Sequence, residues 1–286
     1  MNFFIVGSGR CGSTLLMRML NCHSDLYVFN ETHWIPKLYE VFGSSKAQID
    51  ELFQIVGHTN HVNGQPTTPL TAEDCSAIRK ALGEEVTVRE FVDALGKRIA
   101  ASQGKIIWAD KTPDYCAHLG VLHRLWPNAR FVHLIRDGEA VARSMQRHPG
   151  YRHLVSTKNM CWTSLAYGAE DRWDCAPEVT MEETLRLWRL RVARARDASR
   201  RLPDDGYREF RFEALIADPI TQLRELSAYL QLSAGSWVKE AAALVEPQRI
   251  NQRTQSADSI STDAQTQRLM QELEYSNSVP GQFRCP

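Results

Sequence analysis

Apolar positions along this chain fall into short continuous runs that alternate with helical stripes. Phe3–Val6 is a four-residue run closed by a glycine-rich turn, and Leu15, Leu16, Met17, Met19 and Leu20 then follow at helical spacing. Leu26–Phe29 reads as a second short strand and Thr32–Phe42 as a helix. Thr87 caps a further helix whose Phe91, Val92, Leu95 and Ile99 share one face. Lys105–Ala109 and Arg130–Ile135 are strand-like, with a helix around Tyr115–Leu125 between them, and Asp137–Arg147 is helical. Thr180–Leu202 is a long helix with Leu185, Trp188 and Val192 on one face, and its arginines read as a solvated surface. A turn at Asp204-Asp205-Gly206 leads to a strand at Arg208–Phe212, then to helices around Pro219–Leu230 and Trp237–Val245. Strand alternating with helix predicts one α/β domain over residues 1–286, its central parallel sheet flanked by helices. Residues 43–104 read as a loop and helical insertion, with Gly57–Thr71 as its loop. The polar stretch from about residue 247 reads as an irregular tail.

Composition narrows the partners. The 286 residues carry 34 basic and 34 acidic side chains, so bulk charge nominates neither nucleic acid nor an anionic membrane, and any anion affinity must be local. No apolar run approaches the ~18 residues of a membrane span. Seven scattered cysteines without a Cys-x-x-Cys pair read as reduced thiols in a cytosol. His58 and His61 have metal-like spacing but supply half of a zinc shell, so they read as loop residues and no metal is expected.

Four segments carry candidate chemistry. In the first, Gly7, Gly9 and Gly12 would let backbone approach an anion at the start of a helix, with Ser13 and Thr14 offering hydroxyls and Arg10 a charge. The loop nearly matches a Walker A motif, but Ser13 stands where the lysine for β/γ-phosphates belongs, which points away from a nucleoside triphosphate. In the second, Phe131–Met145, a buried strand ends at Arg136, with Ser144 and Arg147 on one face of the helix that follows. These three side chains would clamp a second phosphate; otherwise Arg136 and Asp137 serve only the helix start. In the third, Glu31 follows a strand, either as a partner of a helix dipole beside a Thr32 cap or as a general base for a hydroxyl acceptor. In the fourth, Lys111 follows a strand at the same sheet edge, either solvated or placed to stabilise charge on a leaving oxygen.

Taken together and in order, these segments resemble the PAPS-dependent sulfotransferases. Gly9-Arg10-Cys11-Gly12-Ser13-Thr14-Leu15 is similar to the family's 5′-phosphosulfate loop, and Phe131–Met145 to its 3′-phosphate motif, with Arg136 and Ser144 at the family spacing. Phe210-Arg211-Phe212-Glu213-Ala214-Leu215, with Asp218-Pro219, resembles a further family segment in which Phe212 stands for an adenine-proximal tyrosine. The likeness covers roughly residues 1–42 and 105–232. It implies a P-loop-like fold, PAPS as co-substrate with 3′,5′-ADP as product, and Gly9 to Thr14, Arg136, Ser144, Arg147 and Phe212 around the nucleotide. It further implies Glu31, Lys111 and Arg10 in catalysis. Glu31-Thr32-x-x-Ile35-Pro36-Lys37 is most similar to the tyrosylprotein sulfotransferases, which implies a tyrosine in an acidic peptide as acceptor, met by His33 and Lys37. Asp110-Lys111-Thr112-Pro113 resembles instead the carbohydrate enzymes, so sugar, lipid and small-molecule hydroxyls remain open. With no anchor or disulfide framework in view, the expected protein is a bacterial cytoplasmic homologue, and homodimerisation is compatible with it. A P-loop kinase is disfavoured by the missing lysine, and a thiol phosphatase by Arg18, one residue too far from Cys11. A catalytically inactive nucleotide-binding protein would need neither Glu31 nor Lys111.

Overall fold

Phe3, Phe4, Ile5 and Val6 are all buried because their strand lies mid-sheet, covered on both faces. The computed structural model describes residues 3–169, 176–245 and 263–275. In chain order its elements are β1 (Phe3–Gly7), α1 (Ser13–Leu20), β2 (Leu26–Asn30), α2 (Trp34–Phe42), β3 (Lys46–Gln48), α3 (Ile49–Gly57), α4 (Ala72–Leu82), β4 (Glu85–Thr87) and α5 (Val88–Ser102). Then come β5 (Ile107–Lys111), a 3₁₀ turn (Pro113–Ala117), α6 (Leu119–Leu125), β6 (Arg130–Ile135), α7 (Gly138–Gln146), α8 (Pro149–Ser156) and a second 3₁₀ turn (Trp162–Ser164). The chain continues with α9 (Met181–Ser199), β7 (Tyr207–Arg211), α10 (Phe212–Ala217), α11 (Pro219–Leu230), α12 (Trp237–Ala242) and α13 (Ala264–Glu272).

The main sheet has five parallel strands in the order β2-β5-β1-β6-β7. The chain fills one side of β1 with β2 and β5, then crosses to the other with β6 and β7. Open α/β sheets bind ligands at the carboxyl ends of strands where the order turns in this way. Side chains alternate between two cores. Phe4 and Val6 pack with Trp34, Phe91, Trp108 and Phe131 on one face. Phe3 and Ile5 pack with Leu16, Leu20, Leu223 and Trp237 on the other. Residues 43–104 form β3 and β4, an antiparallel pair, together with α3, α4 and α5, and this unit packs into the first core.

Three expectations change. Lys111 ends β5 rather than following it, because the strand pairs with β1 at Phe4↔Asp110 and Ile5↔Lys111. The arginine run of α9 is not all solvated, since Arg191 is fully buried. Within the tail expected to be irregular, α13 buries Leu269 and Met270 against α7 and α9.

Candidate active site

Four of the five parallel strands release a functional residue at their carboxyl ends, and β5 contributes its own last residue. After β1, the loop from Ser8 to Gly12 turns through positive φ at Gly9 (75°), Arg10 (53°) and Gly12 (90°). A side chain at Gly9 would strike the Tyr151 hydroxyl, and one at Gly12 the Phe212 ring, so both glycines are needed for space as well as conformation. Gly12 opens α1, and its carbonyl accepts the Leu15 and Leu16 amides at 3.0 and 3.2 Å, so only the amides ahead of Leu15 are left at a helix start, where anions are favoured. Arg10 Nε donates to Ser144 Oγ on α7 at 3.1 Å, and Arg136, just after β6, donates to the Arg10 carbonyl at 3.3 Å. The Arg136 guanidinium also lies 4.5 Å from the centre of the Phe212 ring. Two cations and two helix starts thus border one side of a cleft of about 670 Å³.

Across the cleft stands Glu31. Its amide donates to the Lys111 carbonyl at 2.8 Å, and the buried Lys111 Nζ donates to Glu31 Oε1 at 2.6 Å. The Glu31 side chain keeps 35% of its surface exposed, while that of Lys111 has none. Burial pushes the Glu31 carboxyl up, but Lys111 and His33 overcome it and hold the group well below the usual carboxylate range. Glu31 is therefore ionised at neutral pH. His33 Nε2 lies 3.7 Å from Glu31 Oε2, and its Nδ1 shares a 2.9 Å hydrogen bond with Thr163 Oγ1. Below the pair sits Asp110, fully buried, its carboxyl raised by burial to about 6 against the pull of the Thr112 and Thr32 hydroxyls.

A scaffold beneath both sides connects them. Arg191 of α9 pairs with Asp114 at 2.9 Å and donates to the Ser8 carbonyl at 2.7 Å and the Met160 carbonyl at 2.8 Å. Asp114 in turn accepts the amides of Trp162 and Thr163, the latter at 3.2 Å. One buried ion pair thereby fixes the Ser8–Gly12 loop to the segment that orients His33.

The Sulfotransferase family model matches residues 2–236 of this chain. The chain belongs to the sulfotransferase family. Two curated relatives match half of it: nodulation protein NoeE of Sinorhizobium fredii, 31% identical over 144 residues, and human protein-tyrosine sulfotransferase 1, 27% identical over 148. These matches span 30% and 33% of the relatives' own lengths. Among solved structures, the sulfotransferase domain from the curacin biosynthetic pathway is similar in fold, with a TM-score of 0.62 at 20% identity, covering 96% of this chain and 97% of that one.

In this member of the sulfotransferase family the cleft is lined by Gly9, Arg10, Gly12, Ser13, Thr14, Glu31, His33, Arg136, Ser144 and Phe212, all read from the sequence. Four other expected residues lie elsewhere. Cys11 is buried beneath the loop, and burial raises its thiol pKa, so only its backbone can serve an anion. Lys111 turns its ammonium to Glu31 rather than to the open cleft. Arg147 caps the end of α7, is exposed, and is not among the lining residues. Lys37 pairs with Glu40 at 3.3 Å and lies over the Tyr167 ring, also away from the lining. His61, His148, Tyr151 and Trp162 line the cleft although none of them was read as a site residue, and Arg191 supports it from below. Two of these left a signal: Arg191, three residues from Trp188 on the apolar face of its helix, and His61, whose spacing from His58 was read as that of a loop. Among the described residues no helix is long and apolar enough to cross a membrane.

Proposed function

We propose that this sulfotransferase moves a sulfonate group from PAPS to a hydroxyl acceptor. The observation that carries this reading is one cleft holding two cationic strand-to-helix sites on one side and an ionised carboxylate on the other. Room at Gly9 and Gly12, the α1 amides, Ser13 and Thr14 suit a 5′-phosphosulfate. Arg136 and Ser144 suit the 3′-phosphate, with Phe212 beside the nucleotide. Glu31 takes the proton of the acceptor hydroxyl as its oxygen bonds to sulfur. The bond from sulfur to the bridging oxygen breaks, and Arg10 and the α1 amides stabilise the charge that leaves with 3′,5′-ADP. Lys111 holds Glu31 in place and ionised. These groups carry the chemistry without a metal.

The tyrosine of an acidic peptide is supported as acceptor by Glu31 at its position and by the likeness to the tyrosine enzyme. A second reading, a small neutral alcohol or phenol, is favoured by one feature: Val62, Leu154 and Trp162 line the acceptor side, while Lys37 is engaged with Glu40. Transfer of labelled sulfate from PAPS to a panel of acidic tyrosine peptides, glycans and small phenols separates the two. Labelling of small phenols but no peptide would overturn the peptide reading. Glu31→Gln is expected to lower turnover ~100-fold or more with 3′,5′-ADP affinity retained. Unchanged turnover at donor saturation would remove Glu31 as base.

A further inference from the structure

We propose that Glu31, His33 and His61 form a binding site for a divalent transition-metal ion of the zinc or cobalt kind. The three residues come from two loops, one after β2 and one between α3 and α4, and each offers a ligand atom within 4.8 Å of the others. Two imidazoles and one carboxylate form a three-ligand set that leaves a fourth position for water or another donor. This set suits a borderline-soft ion and not magnesium or calcium, which take oxygen ligands.

Glu31 and His33 are held through their side chains, and His61 through its backbone. His33 shares its Nδ1 hydrogen bond with Thr163 Oγ1, so Nε2 is the nitrogen that faces Glu31. A metal-bound histidine is normally fixed by such a partner on its other nitrogen. Lys111 occupies Oε1 of Glu31, and Oε2 is the oxygen turned to His33. His61 sits in a tight turn, its amide on the Gln65 carbonyl at 2.8 Å and its carbonyl accepting from Gly64 at 3.0 Å. Its ring stands edge-on to His33, 6.4 Å between centroids. Ligand bonds of about 2.1 Å in a tetrahedron put donor atoms roughly 3.4 Å apart. The Glu31–His33 pair, at 3.7 Å, is already near that spacing. Rotation of the half-buried His61 side chain supplies the rest. Because Glu31 must serve Lys111 and the ion together, binding is weaker than in a closed four-ligand site.

An ion on Oε2 would stop Glu31 from accepting a proton, so occupancy inhibits transfer. That consequence rests on Glu31 being the base; the site itself does not. The test uses the full chain without a purification tag and follows cobalt(II) by visible absorption and zinc(II) by equilibrium dialysis. One ion per chain is expected, with affinity reduced about tenfold or more in His61→Ala. His58→Ala is expected to bind as the unaltered chain does, since the exposed His58 turns its Nδ1 to the Gln54 carbonyl. Retained 3′,5′-ADP affinity would establish that His61→Ala is folded. The proposal is overturned by the absence of saturable binding, or by His61→Ala binding cobalt as tightly as the unaltered chain, which would place the ion on surface thiols. Inhibition by zinc that weakens in His61→Ala, each compared with its own metal-free rate, supports both site and base. Ion binding at Glu31 with transfer unaffected would keep the site and remove Glu31 as base.

Discussion

Arg10, Glu31 and His33 adopt left-handed backbone conformations, with φ of 53°, 58° and 58°, and all three line the cleft. Each costs about 1 kcal/mol or more for a residue with a Cβ, held in place by the bonds around it. Arg10→Gly relieves that strain while removing the hydrogen bond to Ser144. Its expected outcome is unchanged or slightly higher stability in urea, by up to about 1 kcal/mol, with 3′,5′-ADP affinity weakened tenfold or more by calorimetry. Asp110 gives a second prediction at this scale. Its carboxyl is raised to about 6 in the folded chain, whereas the unfolded chain releases the same proton near 4. Between those values the folded state binds more protons, so stability falls as pH rises through the window, by at most about 3 kcal/mol. Asp110→Asn removes this loss. The variant is expected to exceed the unaltered chain in stability at pH 7.5 and to match it near pH 4, read by chemical denaturation. Equal stability at both values would place the Asp110 proton elsewhere. At residue scale the sequence disclosed where residues of suitable chemistry stand, as with Arg136 and Glu31 just after strands and Ser144 on the helix that follows, and all three line the cleft. It did not disclose which way a side chain turns: Lys37 and Arg147 have suitable charge and lie away from the cleft lining.

At the scale of elements, helix starts were legible because Thr87 and Thr180 announce capping boxes with Glu90 and Glu183, both present in the structure. Boundaries set by pairing partners were less so. β5 extends through two charged residues because β1 and β2 complete its hydrogen bonds and Glu31 neutralises Lys111. The composition of α9 concealed its most consequential member. Arg191 is one arginine among many in the sequence, yet it is the one placed over Asp114 and beneath the Ser8–Gly12 loop. Removing one partner of a buried ion pair leaves the other uncompensated, at about 3–5 kcal/mol. Arg191→Ala is therefore expected to lose stability on that scale, with the melting temperature falling and donor affinity with it, since Ser8 loses its anchor. Asp114→Asn in the same background should recover part of the stability by removing the orphaned charge. A double variant no more stable than Arg191→Ala would mean that Arg191 acts through packing alone.

For the whole molecule, alternation of apolar strands with amphipathic helices was enough to anticipate the parallel sheet, since strands buried on both faces read as continuous apolar runs. The loop between α3 and α4 was legible as a loop but not as a wall of the cleft. His61 lies within 4.8 Å of Glu31 because bonds such as those from Asn60 to Ala166 and from Thr67 to Thr32 tie that loop down. The C-terminal part was the least legible, because α13 is short and polar and its role exists only in contact with other elements. There Leu269, Met270, Leu273 and Tyr275 close a third core over Val141 and Met145 of α7 and Leu187, Trp188 and Val192 of α9. This core stands directly behind Arg136 and the start of α7. Trp188 Nε1 donates to the Arg136 carbonyl at 3.2 Å. The Tyr275 hydroxyl donates to Glu213 Oε2 at 2.9 Å, and Glu213 Oε1 accepts the Asp137 amide that opens α7 at 2.9 Å. Ending the chain at residue 262 would uncover this core. With roughly 1.5 kcal/mol or more for each large apolar side chain withdrawn from burial, the loss is on the order of 5 kcal/mol. Tyr275→Phe isolates the polar link and is expected to cost about 1 kcal/mol, with the ring still beside Arg211. Thermal unfolding with and without 3′,5′-ADP distinguishes the two effects. If α13 only adds stability, the nucleotide raises the melting temperature of Tyr275→Phe as much as that of the unaltered chain. If it also holds Arg136 and the start of α7 in register, the nucleotide-induced rise shrinks even in this mild variant, and that smaller rise is the expected result.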